Sequence, residues 1–154
     1  MYERHRLSIR DTHERTLLMV ATLALLVANV LHGADHLFGE APRPFNSSVE
    51  ITAGGTLINL ASYAAFGLSW LRLSWVPWAI TGCGFTAGIL TTAVHFAPHW
   101  SAFSDSYWDM SASLVSWVGM LAVIGTALIA GLTGLWVAST TDRKRREQIT
   151  GPTY

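Results

Sequence analysis

The sequence predicts an all-α protein: an integral membrane four-helix bundle with both termini cytoplasmic. Three observations lead there. Hydrophobic residues make up 51% of the 154 positions and charged residues only 13%. Apolar residues gather in four stretches, Leu17–Leu31, Ile51–Leu71, Trp75–Val94 and Met110–Ala138. Each approaches the ~20 residues needed to cross a bilayer, if the first runs on through His36. Basic residues then segregate to one side of the alternating spans. A soluble bundle would show polar faces at helical spacing, and these stretches are apolar nearly all round.

The charges are sparse inside the chain. Between Thr16 and Thr141, besides histidine, cysteine and tyrosine, the ionisable residues are Asp35, Glu40, Arg43, Glu50, Arg72, Asp105 and Asp109. With helices at about 16–38, 50–71, 75–97 and 109–138, nine basic residues fall on one side and only Arg43 on the other. That asymmetry marks the side holding both termini as cytoplasmic. The acids divide five and five, so the inner side carries +4 and the outer side −4 beneath a net charge of zero. The whole chain, 1–154, reads as a single membrane domain, placed in a bacterial plasma membrane.

Each element has its own signal. The first helix follows a basic lead of Arg4, Arg6, Arg10 and Arg15. No small-x-small cleavage site follows it, so it reads as a span rather than a removed leader. The second helix opens on Ser47-x-x-Glu50, a capping-box pattern, and the fourth on Ser106-x-x-Asp109. Only Arg72–Ser74 separates helices two and three, which makes them antiparallel neighbours. The third helix carries Gly84-x-x-x-Gly88, and the fourth Ala127-x-x-x-Gly131 and Ala130-x-x-x-Gly134. Such spacing lets helices approach closely, within the bundle or in a homo-oligomer. Trp70, Trp75, Trp78 and Trp136 fall at the inner interface and Trp100 and Trp108 at the outer, as an aromatic belt would. Trp117 lies deeper, at packing depth. The tails, 1–15 and 139–154, are polar, and the tract "TDRKRREQ" acts as a topology anchor that also attracts anionic lipid.

The chemistry-bearing residues cluster at the outer ends of helices one and three. His32 and His36 are four apart, as are His95 and His99. Positions i and i+4 share a helical face, roughly 5–6 Å apart, a workable separation for two imidazoles on one metal. Asp35 is one residue off that face, close enough to ligate or to orient a histidine, and Asp105 and Asp109 are nearby on the same side. Asn29 extends the His32 stripe inward, and such polar groups should face the bundle interior. Pro98 must disturb the last turn of helix three, which leaves the position of His99 open. Imidazole and carboxylate without thiolate suit zinc, copper or iron. Haem b, with one axial histidine from each of two helices, leaves two histidines unexplained. The plainer alternative is a hydrogen-bonded polar cluster, since helix C-termini favour cationic histidine. The single cysteine, Cys83, allows neither an internal disulfide nor a thiolate cluster.

"AVHFAPHWSAFSDSYWD" (93–109) and "LHGADHLFG" (31–39) resemble a class of small four-span membrane proteins from high-GC Gram-positive bacteria. In that class an H-x-x-x-H helix end is paired with an HWSAFSD-type outer loop. The resemblance implies the four-span topology. It also implies that His99, Ser101, Ser104 and Asp105 form a polar cap over the bundle mouth.

The leading expectation is therefore a membrane protein whose outward His/Asp cluster (His32, His36, His95, His99, Asp35, Asp105) binds a transition metal for binding, sensing or redox purposes. The alternative is a small accessory or assembly subunit of a larger membrane complex, without metal. Whether the chain is an enzyme is left open by its residues. The chain has no Gly-rich phosphate loop, and nothing beyond the short basic tail would bind nucleic acid.

Overall fold

A computed structural model describes residues 9–38, 49–98, 100–108 and 112–150. Among them the secondary structure is entirely helical. α1 spans Ile9–Phe38, α2 Val49–Ser69, α3 Val76–Thr91 and α4 Leu114–Thr150. α3 continues into one π-helical turn, Thr92–Phe96.

Among the described residues three helices are long and apolar enough to cross a membrane: Thr12–His36, Val76–Phe96 and Leu114–Lys144. α2 has comparable length, 21 residues, and carries Thr56, Asn59 and Ser62 among its apolar residues. The helices form a ring in which α4 packs on α3 and α1, and α2 packs on α3 and α1. Leu25, Ala65, Ile80, Ala87, Met120, Val123 and Ala127 are wholly buried at its centre.

Helix boundaries follow local chemistry. Pro77 enters α3 in its first turn, where its missing N–H costs nothing. α4 starts at Leu114 rather than near Asp109, because the hydroxyl of Ser113 accepts the N–H of Ser116 at 3.2 Å and so caps the helix. Ser106, the expected cap, is instead buried in the preceding loop. Asp109 and the Ser47 cap lie outside the described residues. At its far end α4 does not stop near Ala138 but runs through the basic tract to Thr150. Arg, Lys, Glu and Gln are good helix formers and continue it.

The small-residue motifs serve packing inside the bundle. A Cβ placed on Gly84 would lie 2.5 Å from the Gly131 nitrogen and 2.8 Å from the Ala127 carbonyl oxygen. One on Gly134 would lie 2.7 Å from the Pro77 carbonyl oxygen. Phe85 in turn lays its ring over Gly131, within 3.0–3.3 Å of where a Cβ would sit. α3 and α4 thus meet backbone to backbone along a glycine seam.

Polar groups inside the ring bond to one another. Asn29 Nδ2 donates to Asn59 Oδ1 at 2.7 Å, and Asn59 Nδ2 to the Gly55 carbonyl at 2.9 Å. Thr22 and Ser62 return their hydroxyls to carbonyls one turn back. At the end holding the termini, Lys144 Nζ donates to Glu14 Oε1 at 2.8 Å, joining α4 to α1. Trp70, Trp75, Trp78 and Trp136 are exposed near this end, and Trp100 and Trp108 at the other.

Gly84→Ala should therefore lower stability by about 1–3 kcal/mol, the usual cost of overpacking. Gly82→Ala, where an added Cβ meets nothing within 4 Å, should be neutral or slightly stabilising. Thermal midpoints of the two variants in one detergent would check the contrast.

Candidate metal centre

α1 presents His32 and His36 on one face, as spacing four requires. Their Nε2 atoms are 3.2 Å apart. His95 comes from the π turn of α3, with its ring centroid 5.1 Å from His32 and 5.2 Å from His36. One ligating nitrogen from each of the three rings falls within 4.8 Å of the other two. Two nitrogens on a tetrahedral ion at about 2.0–2.1 Å would be roughly 3.3 Å apart. The His32–His36 separation already matches that spacing, and His95 stands within 4.8 Å of both. His32 and His95 are each only 6% exposed.

The π turn has a visible cause. Pro98 forces the preceding residue out of the helical region, and Ala97 is extended at φ −69°, ψ 147°. The Ala97 N–H then reaches back five residues to the Thr92 carbonyl at 2.8 Å. The widened turn buries Val94 and His95 together. Wide turns of this kind often occur at functional sites.

The helix end exposes four carbonyls, and the following loop caps each of them. Trp100 Nε1 donates to the Ala93 oxygen at 2.6 Å. The Asp105 N–H takes the Val94 oxygen at 2.8 Å, and the Tyr107 N–H takes the His95 oxygen at 2.9 Å. Trp108 Nε1 donates to the Phe96 oxygen at 2.6 Å. Ser104 holds the loop shut: its hydroxyl accepts the N–H groups of Trp100 at 3.1 Å and Ser101 at 3.4 Å. The sequence "WSAFSDSYW" thus forms a cap for α3, built from two indoles and two backbone amides.

This cap places Asp105 behind His95. The Asp105 carbonyl oxygen lies 3.1 Å from His95 Nδ1, and its carboxylate oxygen 3.6 Å from the same atom. A proton on Nδ1 donated there leaves Nε2 as the coordinating atom, the usual arrangement for a metal-bound histidine. Asp105 thus stands behind His95, where it would orient the ring for a metal on the other nitrogen.

The other expected residues divide. Asp35 is half-buried on α1 and falls outside the three-histidine cluster. His99 lies outside the described residues. Ser101 and Ser104 are in the cap, as the polar-mouth expectation has it, but bond to the loop's own backbone.

Two contributors escaped the sequence reading. Tyr107 is 1% exposed, and its ring centroid is 5.0 Å from that of His95. Trp117 of α4 stacks edge-on behind it at 5.5 Å, with Trp108 at 4.9 Å from Trp117. Gly119 of α4 faces His32, its missing Cβ 3.7 Å from Nδ1. The spacing of an aromatic after "SDS" is a usable signal only once the loop is known to fold back onto α3.

A small cavity of about 70 Å³ opens beside the cluster, bordered by the three histidines with Asn29, Asn59 and Gly55. It has room for a water or a small exogenous ligand at a fourth coordination position. One turn below His95, the Thr91 hydroxyl is fully buried and makes no hydrogen bond among the described residues.

Ser104→Ala should loosen the cap at a cost of about 1 kcal/mol, with faster amide exchange at 100–108. Ser139→Ala, whose hydroxyl is exposed on α4, should leave exchange there unchanged.

Comparison of the chain with family models, curated proteins and solved structures finds no match, so the site is read from its own geometry.

Proposed function

We propose that this is an integral membrane protein that holds one transition metal ion between His32, His36 and His95. The observation that carries the proposal is the convergence of three imidazoles, two buried and one half-buried, from two helices, with ligand atoms within 4.8 Å of one another. Zinc, copper(II) or iron suit an all-imidazole set. The fourth position faces the small cavity, so a water, a small anion or a loop ligand such as His99 completes the sphere. Asp35 is best read as a contributor to local charge. On the positive-inside reading the site faces outward from a four-span bundle in a bacterial plasma membrane, with both termini in the cytoplasm. Haem b fits less well. Two axial imidazoles flank a porphyrin plane with ring centroids about 6 Å apart, whereas these three rings stand at 4.6–5.2 Å.

One competing reading also has an observation behind it. A separation of 3.2 Å between two Nε2 atoms suits an N–H···N hydrogen bond between neutral rings. In that case the cluster is structural, and the chain is better read as an accessory subunit of a membrane complex.

Metal analysis of the detergent-purified full chain decides between them. Near-stoichiometric metal is expected, with loss on His32→Ala plus His95→Ala. Asp105→Ala should weaken affinity by less than about tenfold, since it removes the carboxylate 3.6 Å from His95 Nδ1 and leaves the backbone carbonyl at 3.1 Å in place. A folded chain that takes up no zinc, copper or iron when supplied with each, or a double histidine variant that keeps its metal, would rule the metal site out. Co-purifying partner chains in a metal-free preparation would favour the accessory role.

A further inference from the structure

At the opposite end of the bundle from the histidines a second cavity, of about 470 Å³, opens between α1, α4 and the α2–α3 turn. Its character is amphiphilic. Arg15 and Arg72 line it, together with the hydroxyl-bearing Ser69, while Leu18, Val76 and Val137 form an apolar back wall. One acid, Glu14, also borders it, but Lys144 neutralises that carboxylate at 2.8 Å. The two guanidiniums are largely uncommitted. Arg15 spends one terminal nitrogen on the Trp70 carbonyl at 3.2 Å, and its Nε makes no hydrogen bond among the described residues. Arg72 is exposed, and no ion pair or hydrogen bond engages it among the described residues.

The height of the cavity matters as much as its charge. Trp70, Trp75 and Trp78 are all exposed beside it. Exposed indoles at the end of apolar helices mark the membrane–water interface. Arg15 and Arg72 therefore stand where lipid phosphates lie, and the apolar wall faces where acyl chains begin. A free anion would have use for the guanidiniums alone. A phospholipid has use for both halves.

We infer that this cavity is a binding site for one anionic phospholipid, with its phosphodiester on Arg15 and Arg72 and an acyl chain along Leu18, Val76 and Val137. Arginine suits the task because its planar fork pairs with two phosphate oxygens at once. Basic pockets between spanning helices on the cytoplasmic side hold lipid headgroups in this way. The site is independent of any metal at the other end.

Native mass spectrometry of the full chain in detergent tests the inference, with phosphatidylglycerol, phosphatidylcholine and inorganic phosphate as probes. One phosphatidylglycerol per chain should survive dilution into lipid-free detergent, with no comparable retention of phosphatidylcholine and no displacement by millimolar phosphate. Arg15→Gln with Arg72→Gln should weaken retention by about tenfold or more. Arg143→Gln with Arg146→Gln removes equal charge from α4 outside the cavity and should change it little. Equal losses from both pairs would mean diffuse attraction to a basic surface and would overturn the site. So would displacement by inorganic phosphate, which would make it a free-anion site. If the double variant does not fold, Arg72→Gln alone, on the exposed turn, should weaken retention severalfold, and unchanged retention would overturn the inference.

Discussion

Backbone carbonyls at the end of a helix cannot be left bare in an apolar layer, because each unsatisfied group there costs several kcal/mol. The upper part of this protein is organised around that requirement. Pro98 ends α3 early and frees the carbonyls of residues 93–96. The loop that follows returns across the helix end and supplies four donors. In returning, it carries the Asp105 carbonyl to His95 and inserts Tyr107 beside it. The geometry of the histidine cluster is thus a by-product of capping a helix, and the orientation of His95 depends on the loop's indoles and serines.

The same requirement explains the interior polar groups. Asn29 and Asn59 bond across α1 and α2, and buried hydroxyls fold back on their own helices. Against this background three imidazoles sharing one small volume stand out. His32 and His36 bring their Nε2 atoms together, and His95 sets its Nδ1 against Asp105.

Much of this was legible in the sequence. The i, i+4 rule alone put His32 and His36 on one face, and the antiparallel order of the helices brought His95 to the same end. The Gly84 and Gly131 motifs announced a close seam, and the structure shows both on the α3–α4 contact. Other features could not be read. "SDSYWD" looks like a helix start because a serine precedes an acid by three, yet its amides are consumed in capping the previous helix. Ser113 wins the cap instead because it lies immediately before the residues that actually turn helical. Nor does periodicity reveal that Tyr107 is buried against His95, since a loop has no period.

The ionic contact between Glu14 and Lys144 joins positions 130 apart in the chain. It lies on the α1–α4 interface, which also presents Gly119 to His32. α1 therefore waits for most of its neighbours among the described helices until α4 has been synthesised. During that interval its asparagine and histidines have only α2 and α3 for company. Assembly is closed from the rear: of the four described helices, the one that shields the histidines on one side and fastens the opposite pole is synthesised after the other three.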